Sequence, residues 1–337
     1  MHIYRHLDEL PPSFPPSVAT IGNFDGVHRG HRWIIGNVLR RARTLGLRSL
    51  VITFDPHPSR AIRPGSSPAL ITPLEHKLDL LASTGVDDVI VLPFDGDLAR
   101  MSAREFAHDL LHRKLNVVEL HEGENFRFGH RAEAGIDTLK TLCADFGCTV
   151  TCYPPQSFHG APVSSSRIRT LIAAGDVSAA HRLLHRPFSI RGTPASGRGY
   201  GTRYTVPTIN LAPYPELIPA HGVYITRLHI GSSVPASPGD KPPEPATNIA
   251  SQTFNAVTNI GNRPTFGADS FTIESHLLDF HPVDLSETTP LDLCFLHRLR
   301  DEQRFPTPEA LLTQIKQDVA TANRFFRLLH QLASIPV

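Results

Sequence analysis

Along the first half of the chain, apolar positions follow two alternating periods. Continuous runs rich in Val, Ile and Leu, "SVATIG", "SLVITF", "DDVIVLPF", "NVVELHEG" and "CTVTCYPP", read as buried strands. Between them, apolar residues recur at helical spacing. The first such stretch carries Trp33, Ile34, Val38 and Leu45 and closes at Gly46; others are "PLEHKLDLLAST", "AREFAHDLLHRK" and "IDTLKTLCADFG". Strands alternating with helices predict a parallel sheet with right-handed crossovers. Two short helical stretches, "SSSRIRTLIAAG" and "VSAAHRLLHR", end the pattern.

After Pro187 the pattern changes. The pieces "FSIRG", "GVYITRLHI", "FNAVTNIG", "FTIESHLLDF" and "LDLCFLHRLR" are strand-like and separated by Gly, Pro and Ser, which predicts an antiparallel sheet or small barrel. Residues 231–247, "GSSVPASPGDKPPEPAT", read as a mobile surface loop. A long amphipathic helix ends the chain, with Thr307 as N-cap and Pro308 as its first residue. The predicted domains are therefore 1–186, α/β with a Rossmann-like parallel sheet, and 187–337, a small β-barrel with a C-terminal helix.

Composition narrows the function classes. The 337 residues suffice for two cores, and 33 Lys+Arg against 32 Asp+Glu leave a net charge of +1. That balance gives no basic sheath for nucleic acid and no acidic tail. Cys143, Cys148, Cys152 and Cys294 lack the paired spacing of a zinc ribbon and read as buried reduced thiols. The N-terminus has no apolar signal core and no run reaches membrane-spanning length. The expectation is a cytoplasmic protein with no membrane or nucleic-acid partner, and with homo-oligomerisation open.

The chemistry concentrates in "IGNFDGVHRGH", residues 21–31, where the first strand gives way to the first helix. In open parallel sheets ligands bind at that end of the strands. Gly22, Gly26 and Gly30 let backbone approach a bulky anion, and the helix start directs free N–H groups at it. The stretch is neither GxGxxG nor a Walker sequence. His28 and His31 can converge on one phosphate and donate where negative charge grows. Two other readings stay open here: a plain turn with incidental histidines, and a zinc site that lacks a convincing third ligand.

Further along, "TFDPHP" (53–58), "GENFRFG" (123–129) and "VSSSRIR" (163–169) follow, then "VPTINL" (206–211), "HGVY" (221–224), "NIGNRPTFG" (259–267), "ESHLLDF" (274–280) and "LRDEQRF" (299–305). In this order they resemble the prokaryotic bifunctional riboflavin kinase/FAD synthetase family over nearly the whole chain. The resemblance implies phosphorylation of riboflavin by ATP to FMN, then transfer of AMP from a second ATP to FMN. The products are FAD and pyrophosphate, and Mg²⁺ assists.

It also implies roles. His28 and His31 would neutralise the ATP phosphates, with Gly22, Asn23, Phe24, Asp25, Gly26 and Gly30 cradling the nucleotide. Ser164, Ser165 and Ser166 would meet an anion, and Arg169 would clamp the polyphosphate. Asn125, with Phe126 or Phe128, would meet the flavin, one of the two phenylalanines being core. Phe54, Asp55 and His57 would face the same crevice. In the second half, Thr208 and Asn210 of "PTIN" would join the shell of Mg²⁺, and Glu274 would accept the proton of the ribityl hydroxyl. Alternation in "TIESHLLDF" puts Ile273, Ser275 and Leu277 on one face and Glu274 and His276 on the other, the open side of the barrel.

The chain departs from the family pattern between Gly197-Arg198, which would cover the ATP phosphates, and Pro207, where it has extra residues. It also lacks the usual aliphatic-Tyr-Gly triplet after "LLDF" and carries the 231–247 insertion. Two alternatives to a bifunctional enzyme follow: an FAD synthetase with a weak or silent kinase half, and a flavin or nucleotide sensor without turnover.

Overall fold

The computed structural model describes residues 1–63, 65–195, 208–231, 251–263, 270–283 and 285–333. The chain divides into two compact units, Met1–Ser165 and Ser166–Val337. The stretch around Gly197-Arg198 and most of the 231–247 insertion lie outside the described residues.

In the first unit a short strand β1 (His2–Tyr4) comes first, and each of the five apolar runs then forms its strand: β2 (Ser17–Ile21), β3 (Arg48–Asp55), β4 (Asp88–Pro93), β5 (Val117–Gly123) and β6 (Thr149–Tyr153). They make one parallel sheet in the order β1-β4-β3-β2-β5-β6. β1, too short to announce itself by periodicity, is added beside β4. All five residues of β2 are buried, as a strand covered on both faces requires. Ile52, Ile90, Leu92, Leu110 and Leu120 sit in one core cluster with Phe106 and Phe128.

Strand order reverses direction between β2 and β5, and there the ladder opens. The two strands pair only as far as Ala19 and Leu120. Beyond that point the Ile21 N–H donates to Glu122 Oε1 at 2.6 Å. A side chain thus satisfies a backbone donor left by the parting strands, and the crevice of the sheet lies where theory places it.

Helix α1 (Arg29–Leu45) follows β2. His28 is its N-cap, with Nδ1 accepting from the His31 N–H at 3.3 Å, and Gly46 closes it at φ 65. Its buried stripe is Ile35, Val38 and Ala42, whereas Trp33 and Leu45 are exposed at 37% and 42%. The expected face was therefore rotated. Trp33 instead meets the Tyr153 ring edge-on at 4.6 Å.

The second unit holds β9 (Phe188–Gly192), β10 (Thr208–Asn210), β11 (Gly222–Ile230), β12 (Gln252–Arg263), β13 (Ser270–Leu277) and β14 (Leu291–Arg300); the small hairpin β7 (Ser157–Phe158) and β8 (Ala161–Pro162) belongs to the first. The antiparallel order is β10-β13-β12-β11-β14-β9. The Ala195 N–H donates to Asn210 O at 2.8 Å and the Ala212 N–H to Thr193 O at 2.9 Å, joining the two edges into a barrel. Tyr224, Phe188 and Phe295 fill the interior. A chain of buried hydroxyls crosses it, Thr226 to Thr258 at 2.6 Å and Thr258 to Ser275 at 2.9 Å. Helix Pro308–Ala333 packs Ala322 and Phe326 on Val223, Ile225 and Val257 of the opposite sheet face. The Thr307 hydroxyl accepts from the Ala310 N–H at 3.2 Å, as its N-cap role requires.

Helices Ser165–Ala173 and Val177–Leu184 fall almost wholly in this second unit, ahead of the boundary expected at 186/187. Ser178 Oγ donates to Leu296 O at 3.4 Å. Gly175 sits so close to the barrel that a Cβ there would lie 2.8 Å from Tyr224 Oη. These contacts assign the short helices to the barrel.

Candidate functional site

The glycine-rich loop is held from below before it can hold anything else. Asp25 is 3% exposed, and its carboxylate accepts the Ile71 N–H at 3.1 Å and the Thr72 N–H at 2.9 Å. Thr72 Oγ1 accepts the Gly26 N–H at 2.8 Å. Gly26 adopts φ 83, a left-handed conformation that favours glycine. Phe24 is buried and turns its ring edge toward His31 at 5.1 Å. The side chains of Asp25 and Phe24, both expected at the nucleotide, pin the loop. What the loop can offer a ligand is backbone and imidazole.

The two histidines meet as the HxGH spacing predicted. Their rings stack 3.6 Å apart, 16° from parallel. His28 is almost wholly buried, and its Nδ1 is engaged in the helix cap. His31 Nδ1 is buried with no hydrogen-bond partner. Burial, then His28 and the ammonium of Lys77, push the His31 pKa well below the ordinary histidine range. A neutral imidazole with a buried, unpartnered ring nitrogen thus stands at the start of α1. Gly30 is tight against the pair: a Cβ there would lie 3.3 Å from the His28 ring.

Beside this lies a group that the sequence reading missed. Lys77, on helix Leu74–Ala82, is buried, and its Nζ donates to Thr53 Oγ1 at 3.0 Å, Phe54 O at 3.1 Å and Asn23 O at 3.3 Å. Burial lowers its pKa to about 8 against the opposing pull of Asp25 and Asp55. Its signal was a lysine among Leu74, Leu78 and Leu81 on the apolar stripe of "PLEHKLDLL".

At the end of β3, Phe54 packs edge-on against Phe94 at 5.7 Å, while Asp55 is exposed. His57 caps the next short helix, accepting the Ser59 N–H at 3.2 Å, so a local structural task already occupies Nδ1. After β5, Asn125 is exposed and Phe126 half-buried, with Phe128 buried behind it. The Phe126 and Phe128 rings stack at 5.6 Å. Phe128 is the core member of the pair and Phe126 the accessible one. Ser165 Oγ donates to Asp25 O at 2.9 Å, which ties the end of the first unit to the loop. Ser166 and Arg169 continue the helix within the second unit.

In the barrel, Glu274 stands directly opposite Asn210 on one side and Asn259 on the other; His276 stands opposite Thr208. Ile273, Ser275 and Leu277 are buried, while Thr208, Asn210, Glu274 and His276 are half-exposed. The period-2 reading therefore holds, and four polar side chains share one sheet face. Burial lowers the His276 pKa, so the ring next to Glu274 along the strand is neutral in the physiological range. Gly197 and Arg198 lie outside the described residues. Among the described residues no three His, Cys, Asp or Glu side chains gather as a metal cage.

A family model described as FAD synthetase matches residues 11–167, and one described as riboflavin kinase matches 184–326. The chain is 36% identical to the bifunctional riboflavin kinase/FMN adenylyltransferase of Pseudomonas fluorescens, covering 96% of this chain and 97% of that protein. With the Escherichia coli K12 protein of the same description it shares 34% identity, over 92% and 93% of the two lengths. Among solved structures, a Streptococcus pneumoniae chain described as a macrolide-efflux protein matches with TM-score 0.78 and 26% identity, covering 95% of this chain and 98% of that one. No described helix here is long and apolar enough to cross a membrane.

Proposed function

We propose the residue roles below on one premise: the chain belongs to the bifunctional riboflavin kinase/FMN adenylyltransferase family. It phosphorylates riboflavin with ATP to FMN and adenylylates FMN with a second ATP, releasing pyrophosphate and FAD.

Adenylyl transfer is assigned to the His28–His31 loop. The FMN phosphate oxygen attacks the α-phosphorus of ATP, and the bond to the bridging oxygen of pyrophosphate breaks. The attacker is already anionic, so no base is needed, and positioning and charge stabilisation carry the rate. His31 Nδ1 and the loop N–H groups meet the phosphates at the start of α1, with Gly22, Gly26 and Gly30 allowing close approach. Ser164 and Ser165 meet the remaining polyphosphate charge. Asn125 reads the flavin edge, and Phe126 packs on its rings. The observation that carries this assignment is the partnerless, buried His31 Nδ1 in the stacked pair.

Phosphorylation of riboflavin is assigned to the barrel face of Glu274. Its carboxylate accepts the proton of the terminal ribityl hydroxyl as the γ-phosphoryl group arrives. Thr208 and Asn210 supply neutral oxygens on the same face. Such neutral oxygens suit a hard cation that keeps its water and phosphate ligands, as Mg²⁺ does. Mg²⁺ held there by Thr208 and Asn210 would neutralise phosphate charge.

A cytoplasmic location and action on small molecules rather than nucleic acid accord with the near-neutral charge. Incubation with riboflavin, ATP and Mg²⁺, followed by chromatographic separation of flavins, tests the assignment. Both FMN and FAD are expected. FAD from supplied FMN alone would mean a silent kinase half, and neither product would mean a sensor.

A further inference from the structure

Burying a lysine is costly, and the fold had a cheaper option. Lys77 occupies the apolar stripe of its helix, where a Met or Leu of similar volume would pack without desolvation. The ammonium is kept, and its three acceptors are not scattered. Asn23 O belongs to the glycine-rich loop, whereas Thr53 Oγ1 and Phe54 O belong to the end of β3. Thr53 Oγ1 also donates to Asn23 O at 3.3 Å, closing the triangle. One cation therefore clamps the ends of two neighbouring parallel strands at the mouth of the crevice, and its field reaches the His31 ring.

We propose that Lys77 is a positioning residue for adenylyl transfer, fixing against the end of β3 the loop that carries His28 and His31 and adding its charge to the positive potential that the triphosphate meets. This rests on the assignment of residues 22–31 as the triphosphate site. A neutral His31 presents a ring nitrogen with no counter-ion to displace. When the phosphates bind, their negative charge favours protonation of the ring and offsets the field of Lys77, so the positive potential of both groups is spent on the ligand. The groups that set this balance are Asp25 in the loop and Asp55 at the end of β3, acting on Lys77, and His28 and Lys77, acting on His31.

The full-length enzyme is assayed for FAD formation from FMN and Mg-ATP, with kcat and KM for ATP measured from pH about 5.5 to about 9, a range spanning the titration of Lys77. In the wild type, kcat/KM for ATP is expected to fall on the alkaline side near pH 8, where Lys77 loses its charge. Lys77→Gln keeps donors without charge, and Lys77→Met removes both. Each is expected to lower kcat/KM for ATP about tenfold or more and to abolish the alkaline fall, because the titrating ammonium is gone. Lys77→Arg is expected to restore much of the rate and to hold it level to pH about 9, because the guanidinium keeps its charge.

A wild-type profile flat through pH 9 overturns the proposal even if every variant misfolds. Folded Gln and Met variants that keep the alkaline fall overturn it as well. His31→Ala serves as the control on the premise. If that variant makes FAD normally, the triphosphate site itself is misassigned. If it fails while the Lys77 variants behave as wild type, only the inference about Lys77 is lost.

Discussion

The imidazoles of His28 and His31 lie 3.6 Å apart and nearly parallel, and of their Nδ1 atoms only that of His31 is buried without a partner. The backbone explains the asymmetry: His28 spends its nitrogen capping the helix that His31 begins. Replacing His31 by Ala is expected to lower FAD formation by roughly two orders of magnitude or more, the usual cost of losing a preorganised donor. His28→Ala should do the same and also loosen the helix start, costing about 1 kcal/mol of stability. Riboflavin phosphorylation should stay near wild type in both, as assays of FMN formation would show. Joint loss of both activities in folded protein would refute the two-site assignment.

Glu122 gives a prediction with a definite sign. Its carboxyl fills the split between β2 and β5, and burial pushes its pKa well above the ordinary value, outweighing the Ile21 N–H and Thr20 hydroxyl that hydrogen-bond to it. The folded state therefore holds a proton that the unfolded state has released. Stability is full below the ordinary glutamate pKa and falls as pH rises toward the folded one. The slope is about 1.4 kcal/mol per pH unit within that window. Glu122→Gln keeps the acceptor and removes the titration. Denaturant unfolding at a series of pH values should show the variant gaining on the wild type as pH rises. A pH-independent difference would remove Glu122 from this account.

Much of this architecture was legible because the strands of both units keep a simple period. Runs of Val, Ile and Leu marked β2 to β6, and alternation in "TIESHLLDF" placed Glu274 and His276 opposite the buried Ser275. His28 and His31 were legible for the same reason, since spacing three residues apart at a helix start forces convergence. What escaped depended on tertiary partners. That Asp25 braces the loop was not legible, because Ile71 and Thr72, which donate to its carboxylate, are distant in sequence. Lys77 was hidden in a helix whose apolar stripe gave no reason to ask where an ammonium would find three acceptors. Trp33 was assigned to the wrong face because an aromatic at helical spacing carries no label saying whether the sheet or Tyr153 covers it.

The unit boundary yields a comparison of two fragments. Helix Val177–Leu184 buries Val177, Ala180, Leu183 and Leu184 and packs beside β9 and β14. Each large apolar side chain so buried is worth about 1.5–3 kcal/mol. A fragment starting at Ser166 should fold and make FMN without FAD. One starting at Pro187 should melt at a markedly lower temperature or fail to fold, since several kcal/mol is a large share of a small domain's stability. Equal melting temperatures by circular dichroism would return the boundary to 186/187.

Glu274 carries the sharpest expectation for the barrel. A primary hydroxyl is a poor nucleophile at neutral pH, and a positioned carboxylate lowers the barrier by accepting its proton as the γ-phosphoryl arrives. The barrel supplies the positioning. Glu274 is bracketed by Asn210 and Asn259 on its neighbouring strands, and its own strand is anchored by Ile273, Ser275 and Leu277 in the interior. Ser275 is further held through the hydroxyl chain of Thr258 and Thr226, so the strand cannot slip its register without burying unsatisfied hydroxyls. Glu274→Gln keeps shape and hydrogen-bonding capacity while removing the base. FMN formation should fall by ~10²-fold or more, with riboflavin affinity little changed. Conversion of supplied FMN to FAD should persist, because that reaction needs no base. A variant that phosphorylates riboflavin at near the wild-type rate would leave Glu274 as a half-exposed strand residue and send the search for the base to His276, the other titratable side chain described on that face of β13.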